Sequence, residues 1–221
     1  MRSRGGRISG ADVTDPTLPL LTQCRAFDAD TIADAARLLH RGLPVAVPTE
    51  TVYGLAADAT NAEAVARIYA AKGRPSFNPL IVHVADLVAA ERLALFDDHA
   101  RRLAARFWPG PLTLVLPVKA DRGLASLVTA GLPTVALRVP AHPAMQALLR
   151  AAERPLAAPS ANASGRISPT RAEHVLASLD GRIPLVIDAG ATRIGLESTI
   201  VATAPDHVRL LRAGPVDAAT I

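Results

Sequence analysis

Apolar positions along this chain recur with two spacings. Ile32, Ala35, Ala36 and Leu39 form the single stripe of an amphipathic helix, and Gly42 supplies a stop just beyond. Asn61 is placed to cap a second helix carrying Val65, Ile68 and Tyr69, which Gly73 ends. The period returns at Ala100, Leu103, Ala104 and Phe107, closed by Pro109 and Gly110, and again at Met145, Leu148, Leu149 and Ala152. Pro169 suits a helix start before Val175 and Leu179. Between these helices lie short apolar runs at 43–47, 79–84, 112–117, 134–139, 155–158, 184–188, 199–202 and 207–211. Several are apolar throughout, as in strands covered on both faces. The pattern predicts an α/β domain around a central twisted sheet. No helical pattern separates the last three strands, so a mixed sheet is expected rather than a purely parallel one.

Residues 25–215 contain no repeat and no low-complexity linker, while residues 1–22 are rich in Gly, Ser, Thr and Pro. A flexible N-terminal tail over 1–22 and one domain over 23–221 are therefore expected. No apolar stretch approaches the roughly 18 residues of a membrane span. Arg2, Arg4 and Arg7 lead into no hydrophobic segment, which argues against a secretory signal. Cys24 is the single cysteine, so no internal disulfide can form, and no Cys/His set has zinc-ligand spacing. A reduced, cytoplasmic setting is expected.

Polar residues gather at strand ends in four places. Pro48 to Leu55 follows the run 43–47 and brings Thr49, Glu50, Thr51 and Tyr53 to a rim, where a plain polar turn is the simpler alternative. Lys72 and Arg74 flank Gly73 ahead of Asn78 and the run that ends at His83. Cations at a helix C-terminus can serve the helix dipole or meet an anionic ligand. Lys119 is the only other lysine, so the compact ammonium at Lys72 stands out against an Arg-rich background. His83 alone fits a satisfied core histidine as well as a ligand. Ser160, Asn162, Ser164 and Gly165 form a small-residue loop that permits close backbone approach, but no Gly-x-Ser-x-Gly elbow surrounds them. Glu197, Ser198 and Thr199 precede the run 199–202, and Arg212 follows 207–211. Arg138 ends the run 134–139. If buried it must meet an acid or a ligand carboxylate.

The charge balance, 24 basic against 20 acidic residues, is mild and does not itself require a nucleic-acid partner. Neither a Gly-x-x-x-x-Gly-Lys-Ser/Thr loop nor a Gly-x-Gly-x-x-Gly fingerprint is present. Any nucleotide would be held by side-chain cations and loop amides.

The pieces PTETVYGL at 48–55, KGRPSFNPLIVH at 72–83, FWPGPLTLVL at 107–116, TVALRVPAHP at 134–143 and APSANASGRISPT at 158–170 stand in a telling order. With GLESTIV and LLRAGP near the end, they resemble the threonylcarbamoyl-AMP synthase family, also called YrdC-like or TsaC, over roughly residues 28–215. The resemblance implies a YrdC-like α/β fold enclosing a basic cavity. It implies formation of threonylcarbamoyl-AMP and pyrophosphate from L-threonine, bicarbonate or CO2 and ATP, with Mg²⁺ accompanying ATP. Lys72 and Arg74 would act as catalytic cations. With Asn78, Thr134, Asn162, Thr170 and Arg212 they would line the ATP site. Thr51, His83, Arg138, Ser160 and Ser198 would hold threonine, Arg138 through its carboxylate. The product would pass to a tRNA threonylcarbamoyl transferase complex, and weak RNA binding is a further expectation. Longer family members add a linker and second domain, so the chain is expected to be either a single-domain member or a fragment.

Two rival readings follow from the same segments. A non-catalytic RNA-binding module would show salt-sensitive binding, but aromatic residues are only 3% of the chain, too few for a stacking platform. The carbamoyl-transfer domain of hydrogenase maturation proteins comes with an acylphosphatase-like part and cysteine zinc motifs, which this sequence lacks.

Overall fold

The computed structural model describes residues 21–120, 123–204 and 206–221. The tail expected over 1–22 therefore falls mostly outside the described residues. Thr22 lies within them and is anchored: its hydroxyl donates to the Ile183 carbonyl and accepts from the Gly181 N–H.

Among the described residues ten strands form one sheet. They are β1 (Gln23–Ala26), β2 (Val45–Pro48), β3 (Tyr53–Asp58), β4 (Ile81–His83), β5 (Leu112–Pro117), β6 (Thr134–Arg138), β7 (Leu156–Ala157), β8 (Leu185–Asp188), β9 (Thr199–Ala204) and β10 (His207–Arg212). Among the same residues seven α-helices accompany them: α1 (Ala29–His40), α2 (Ala62–Lys72), α3 (Leu87–Leu93), α4 (Asp98–Phe107), α5 (Ser126–Thr129), α6 (Pro143–Ala152) and α7 (Ala172–Leu179). The strand order is β1-β8-β2-β3-β7-β4-β6-β5-β9-β10. β1/β8, β2/β8, β4/β6 and β5/β9 run parallel, and the remaining neighbours antiparallel. The expected mixed sheet is what forms.

Apolar runs build this sheet because both of its faces are covered. Val45 and Val47 pack into one core with Ile32, Leu39, Met145 and Leu148 from α1 and α6. Ala46, between them, packs into a second core with Val65 and Ile68 of α2 and Val175 of α7. Alternate residues of a strand point to opposite faces, so a strand serving two cores must be apolar at every position.

Local chemistry sets the helix ends. The Asn61 side chain accepts from the Glu63 and Ala64 N–H groups, and Gly73 closes α2 in the left-handed region at φ 59°. Pro169 does not start a helix: α7 begins at Ala172, and the Pro169 carbonyl accepts from the Tyr53 N–H. Four elements were not anticipated. β3 hides behind the polar turn that precedes it, β1 is a mostly exposed edge strand, and α3 and α5 are short.

Candidate functional site

One cleft gathers most of the singled-out polar segments. Its lining includes Thr49, Thr51, Arg74, His83, Arg138, Ser160, Glu197, Ser198 and Arg212. His83 and Arg138 are register partners on β4 and β6. Ile81 and His83, two apart on β4, both reach the cleft, as the strand's period requires.

Arg138 is only 3% exposed, so its charge must be met inside the protein. Its Nη2 donates to Glu50 Oε1 at 2.5 Å, its Nη1 to Thr51 Oγ1 at 3.0 Å and its Nε to the Gly110 carbonyl at 3.1 Å. The second Glu50 oxygen accepts from the Ala141 N–H at 3.0 Å. The partner of the buried guanidinium is thus an acid of the chain itself. Glu50 was visible in the sequence but unassigned. The signal was there: a buried arginine needs an acid, and Glu50 sits in the strand-end segment.

The turn before β3 orders the hydroxyls. Thr49 Oγ1 donates to the Val52 carbonyl at 2.7 Å and accepts from the Thr51 and Val52 N–H groups. A hydroxyl has one proton to give, so in the 2.7 Å contact between the two threonines Thr51 is the donor. Thr51 Oγ1 then accepts from Arg138, and the chain runs Arg138 to Thr51 to Thr49 to Val52.

His83 is buried, and its Nδ1 has no hydrogen-bond partner. Burial first, and the Arg138 charge second, push its pKa down to about 3, so the imidazole is neutral near pH 7. Ser198 Oγ lies 2.7 Å from Thr113 Oγ1 and accepts from Arg212 Nη2 at 3.1 Å. Arg212 also donates to the Ser198 carbonyl and pairs through Nη1 with Glu197, whose other oxygen accepts from Ser168 Oγ. Gly214 permits this approach: a Cβ there would lie 2.4 Å from the Thr199 nitrogen and 2.6 Å from the Glu197 carbonyl oxygen.

The twelve residues singled out separate cleanly. All five assigned to threonine by resemblance, Thr51, His83, Arg138, Ser160 and Ser198, line the cleft. Of the seven assigned to ATP, Arg74 and Arg212 line it. Lys72, Asn78, Thr134, Asn162 and Thr170 lie outside its lining. Lys72 is 3% exposed, and its Nζ donates to the Ser160 and Asn162 carbonyls. Burial first, and Arg74 second, lower its pKa to about 8. Asn162 Nδ2 donates to the Ala163 and Arg166 carbonyls. Together they hold the 158–166 loop beside the end of α2. The Asn78 carbonyl accepts from Tyr69 Oη, Thr134 opens β6, and the Thr170 carbonyl accepts from the Thr192 N–H.

Among the described residues no group of three or more His, Cys, Asp or Glu could hold a metal ion. No described helix is long and apolar enough to cross a membrane.

Comparison with known proteins places these features in context. A model of the Sua5/yciO/yrdC family, described as "Telomere recombination", matches residues 37–214. The chain is 56% identical over 186 residues to the threonylcarbamoyl-AMP synthase of Bacillus subtilis, covering 84% of this chain and 54% of that protein. It is 51% identical over 181 residues to the synthase of Pyrococcus abyssi, covering 81% of this chain and 53% of that protein. The solved structure of P. abyssi Sua5 complexed with L-threonine superposes with a TM-score of 0.82 at 47% identity, over 88% of this chain and 57% of that one. The chain spans about half the length of these curated relatives.

Proposed function

The chain belongs to the Sua5/YciO/YrdC family, and on that premise we propose that it is an enzyme making threonylcarbamoyl-AMP. The substrates are L-threonine, CO2 derived from bicarbonate, and ATP, and pyrophosphate leaves. The supporting observation is the convergence of Thr51, His83, Arg138, Ser160 and Ser198 on one cleft whose lining also carries Arg74 and Arg212.

Arg138 has five N–H donors and uses three on Gly110, Thr51 and Glu50. One N–H on each Nη is left for a substrate carboxylate, in the two-pronged geometry that suits one. Ser198 and Ser160 offer hydroxyls to the amino acid, while Thr51 helps fix Arg138. The amine of threonine takes up CO2 to give a carbamate, whose oxygen attacks the α-phosphorus of ATP. Neither step requires a covalent enzyme intermediate, so the protein's work is alignment and exclusion of water, worth about 7–11 kcal/mol in favourable cases. Arg74 and Arg212 meet the charge that grows on the phosphates. Lys72 acts from beneath the 160–162 loop, fixing its carbonyls, and meets phosphate only if that loop opens.

Mg²⁺ would arrive on the triphosphate and neutralise its charge. Among the described residues the cleft offers no ligand set of its own for it, because Glu197 and Glu50 are both committed to arginines. The product is a labile mixed anhydride, suited to transfer onto tRNA by a downstream complex.

The decisive measurement is pyrophosphate release from ATP and Mg²⁺ with threonine and bicarbonate, each omitted in turn. Release that needs both supports the reading. Binding of threonine and ATP without release would leave a binding protein in its place.

A further inference from the structure

The cleft is lopsided in charge. Arg74, Arg138 and Arg212 line it, and Glu197 is the one lining carboxylate among the described residues. Glu197 is taken up by Arg212 on one oxygen and Ser168 on the other. Glu50 sits behind Arg138, with its oxygens on Nη2 and on the Ala141 N–H. His83, between β6 and β7, is kept neutral by burial and by Arg138. His142, near Glu50, is pushed toward its neutral form by burial. Lys72 lies under the 160–162 loop as a further cation. No group facing the cleft from these elements offers an uncommitted negative charge.

An amino acid reaches such a site as a zwitterion. Its carboxylate gains from the guanidiniums, but its ammonium meets like charge. In an enclosed site that repulsion is stronger than in water and favours loss of the proton. Hydroxyls and a neutral imidazole can hydrogen-bond to an amine without supplying a countercharge. We infer that the cleft takes its amino acid with a neutral amine, so that binding itself expels one proton to solvent.

The inference rests on the threonine reading and adds the first chemical step to it. The neutral amine is the form that attacks CO2: an N–C bond forms, a C=O π pair moves onto oxygen, and nitrogen sheds a second proton. His83 cannot store either proton, because burial and the Arg138 charge hold it neutral. Both protons leave to solvent.

The test is calorimetric titration of L-threonine into the protein at about pH 7.5, free of ATP and bicarbonate, in phosphate and in Tris. The difference in heat between the buffers counts the protons released. Close to one proton per threonine is expected, with the apparent Kd falling about tenfold per pH unit up to the pKa of the free amine. 3-Hydroxybutyrate keeps the carboxylate and hydroxyl but has no amine, and is expected to release none. Threonine binding without proton release overturns the inference and leaves the proposed activity standing. Release with 3-hydroxybutyrate assigns the proton to the protein and overturns it equally. Absence of any threonine binding overturns both this inference and the proposed activity.

Discussion

At one end of the cleft Thr51, His83 and Arg138, with Glu50 behind them, are all buried, each on a strand or on the short segment leading into or out of one, and buried Ser198 links this end to Arg212. At the other end Arg74 and Arg212 are half-buried, one on the loop after α2 and one on the edge strand β10. The first group is tied into a closed network: Arg138 uses Glu50, Thr51 and Gly110, and Thr51 uses Thr49. Arg74 makes one long bond to the Pro79 carbonyl and leaves its buried Nε without a partner. The first end is preorganised for a small, invariant ligand. At the second, Arg74 has donors to spare, which suits a large polyanion bringing its own acceptors, whereas Arg212 is mostly spent on Glu197 and Ser198.

The contrast breaks most severely at Glu50. Glu50→Ala leaves the Arg138 guanidinium buried and uncompensated, and the expected loss of stability is about 3–5 kcal/mol. Urea unfolding of the parent and variant measures it. A loss under about 1 kcal/mol would mean that the Arg138 charge is met by solvent and that this end is not closed. The double variant Glu50→Gln with Arg138→Met removes both charges and should recover much of the loss.

Arg74→Ala is the matching change at the open end. Its side chain supports little of the fold, so stability should stay within about 0.5 kcal/mol of the parent. Turnover should fall roughly 100-fold if the guanidinium meets transition-state charge. Arg138→Ala should instead raise the threonine requirement more than that for ATP. Steady-state kinetics in each substrate separates the two, and equal effects on both would erase the distinction between the ends.

His83 supplies a pH arm to the closed end. Its folded pKa, about 3, lies below the ordinary 6.5, so the unfolded chain binds the extra proton. The stability it contributes is present above about pH 6.5 and is lost as pH falls from there toward 3. At about pH 5 the expected loss is about 2 kcal/mol. His83→Asn should flatten that part of the stability–pH curve. An unchanged slope would assign the acid sensitivity to other groups. Lys72 acts in the opposite range with the same sign. Its depressed pKa makes the fold gain stability as pH rises from about 8 toward 10.5.

Which parts of this were legible in the sequence follows from the same division. Strands covered on both faces announce themselves, because Val45 to Val47 and Leu112 to Leu116 are apolar at nearly every position. β3 did not. It starts one residue after Thr49 to Val52, and a threonine-rich turn reads as a loop end although Tyr53 to Asp58 are all buried. Arg138 was legible as needing an acid, but choosing Glu50 required knowing that residues 50 and 138, 88 apart in sequence, meet across the sheet. The residues assigned to threonine by resemblance each end or flank a strand, and all line the cleft. Of the ATP-assigned residues Arg74 and Arg212 line the cleft, while several others bond through their backbone or hold loops. Asn162 and Lys72 are spent on main-chain carbonyls, a role no residue type advertises.

Asn78 gives the finest cut between the two ends. Its carbonyl, not its side chain, accepts from Tyr69 Oη at 2.8 Å, and Asn78 is not part of the cleft lining. Asn78→Ala preserves that carbonyl, so stability should move by less than about 0.5 kcal/mol. Any functional effect must then come from the amide reaching a ligand beyond the lining. If the open end extends past Arg74 to receive the nucleotide, the variant should raise the KM for ATP several-fold and leave that for threonine unchanged. If neither KM moves, the nucleotide end is confined to Arg74 and Arg212, and Asn78 serves the fold through its backbone alone.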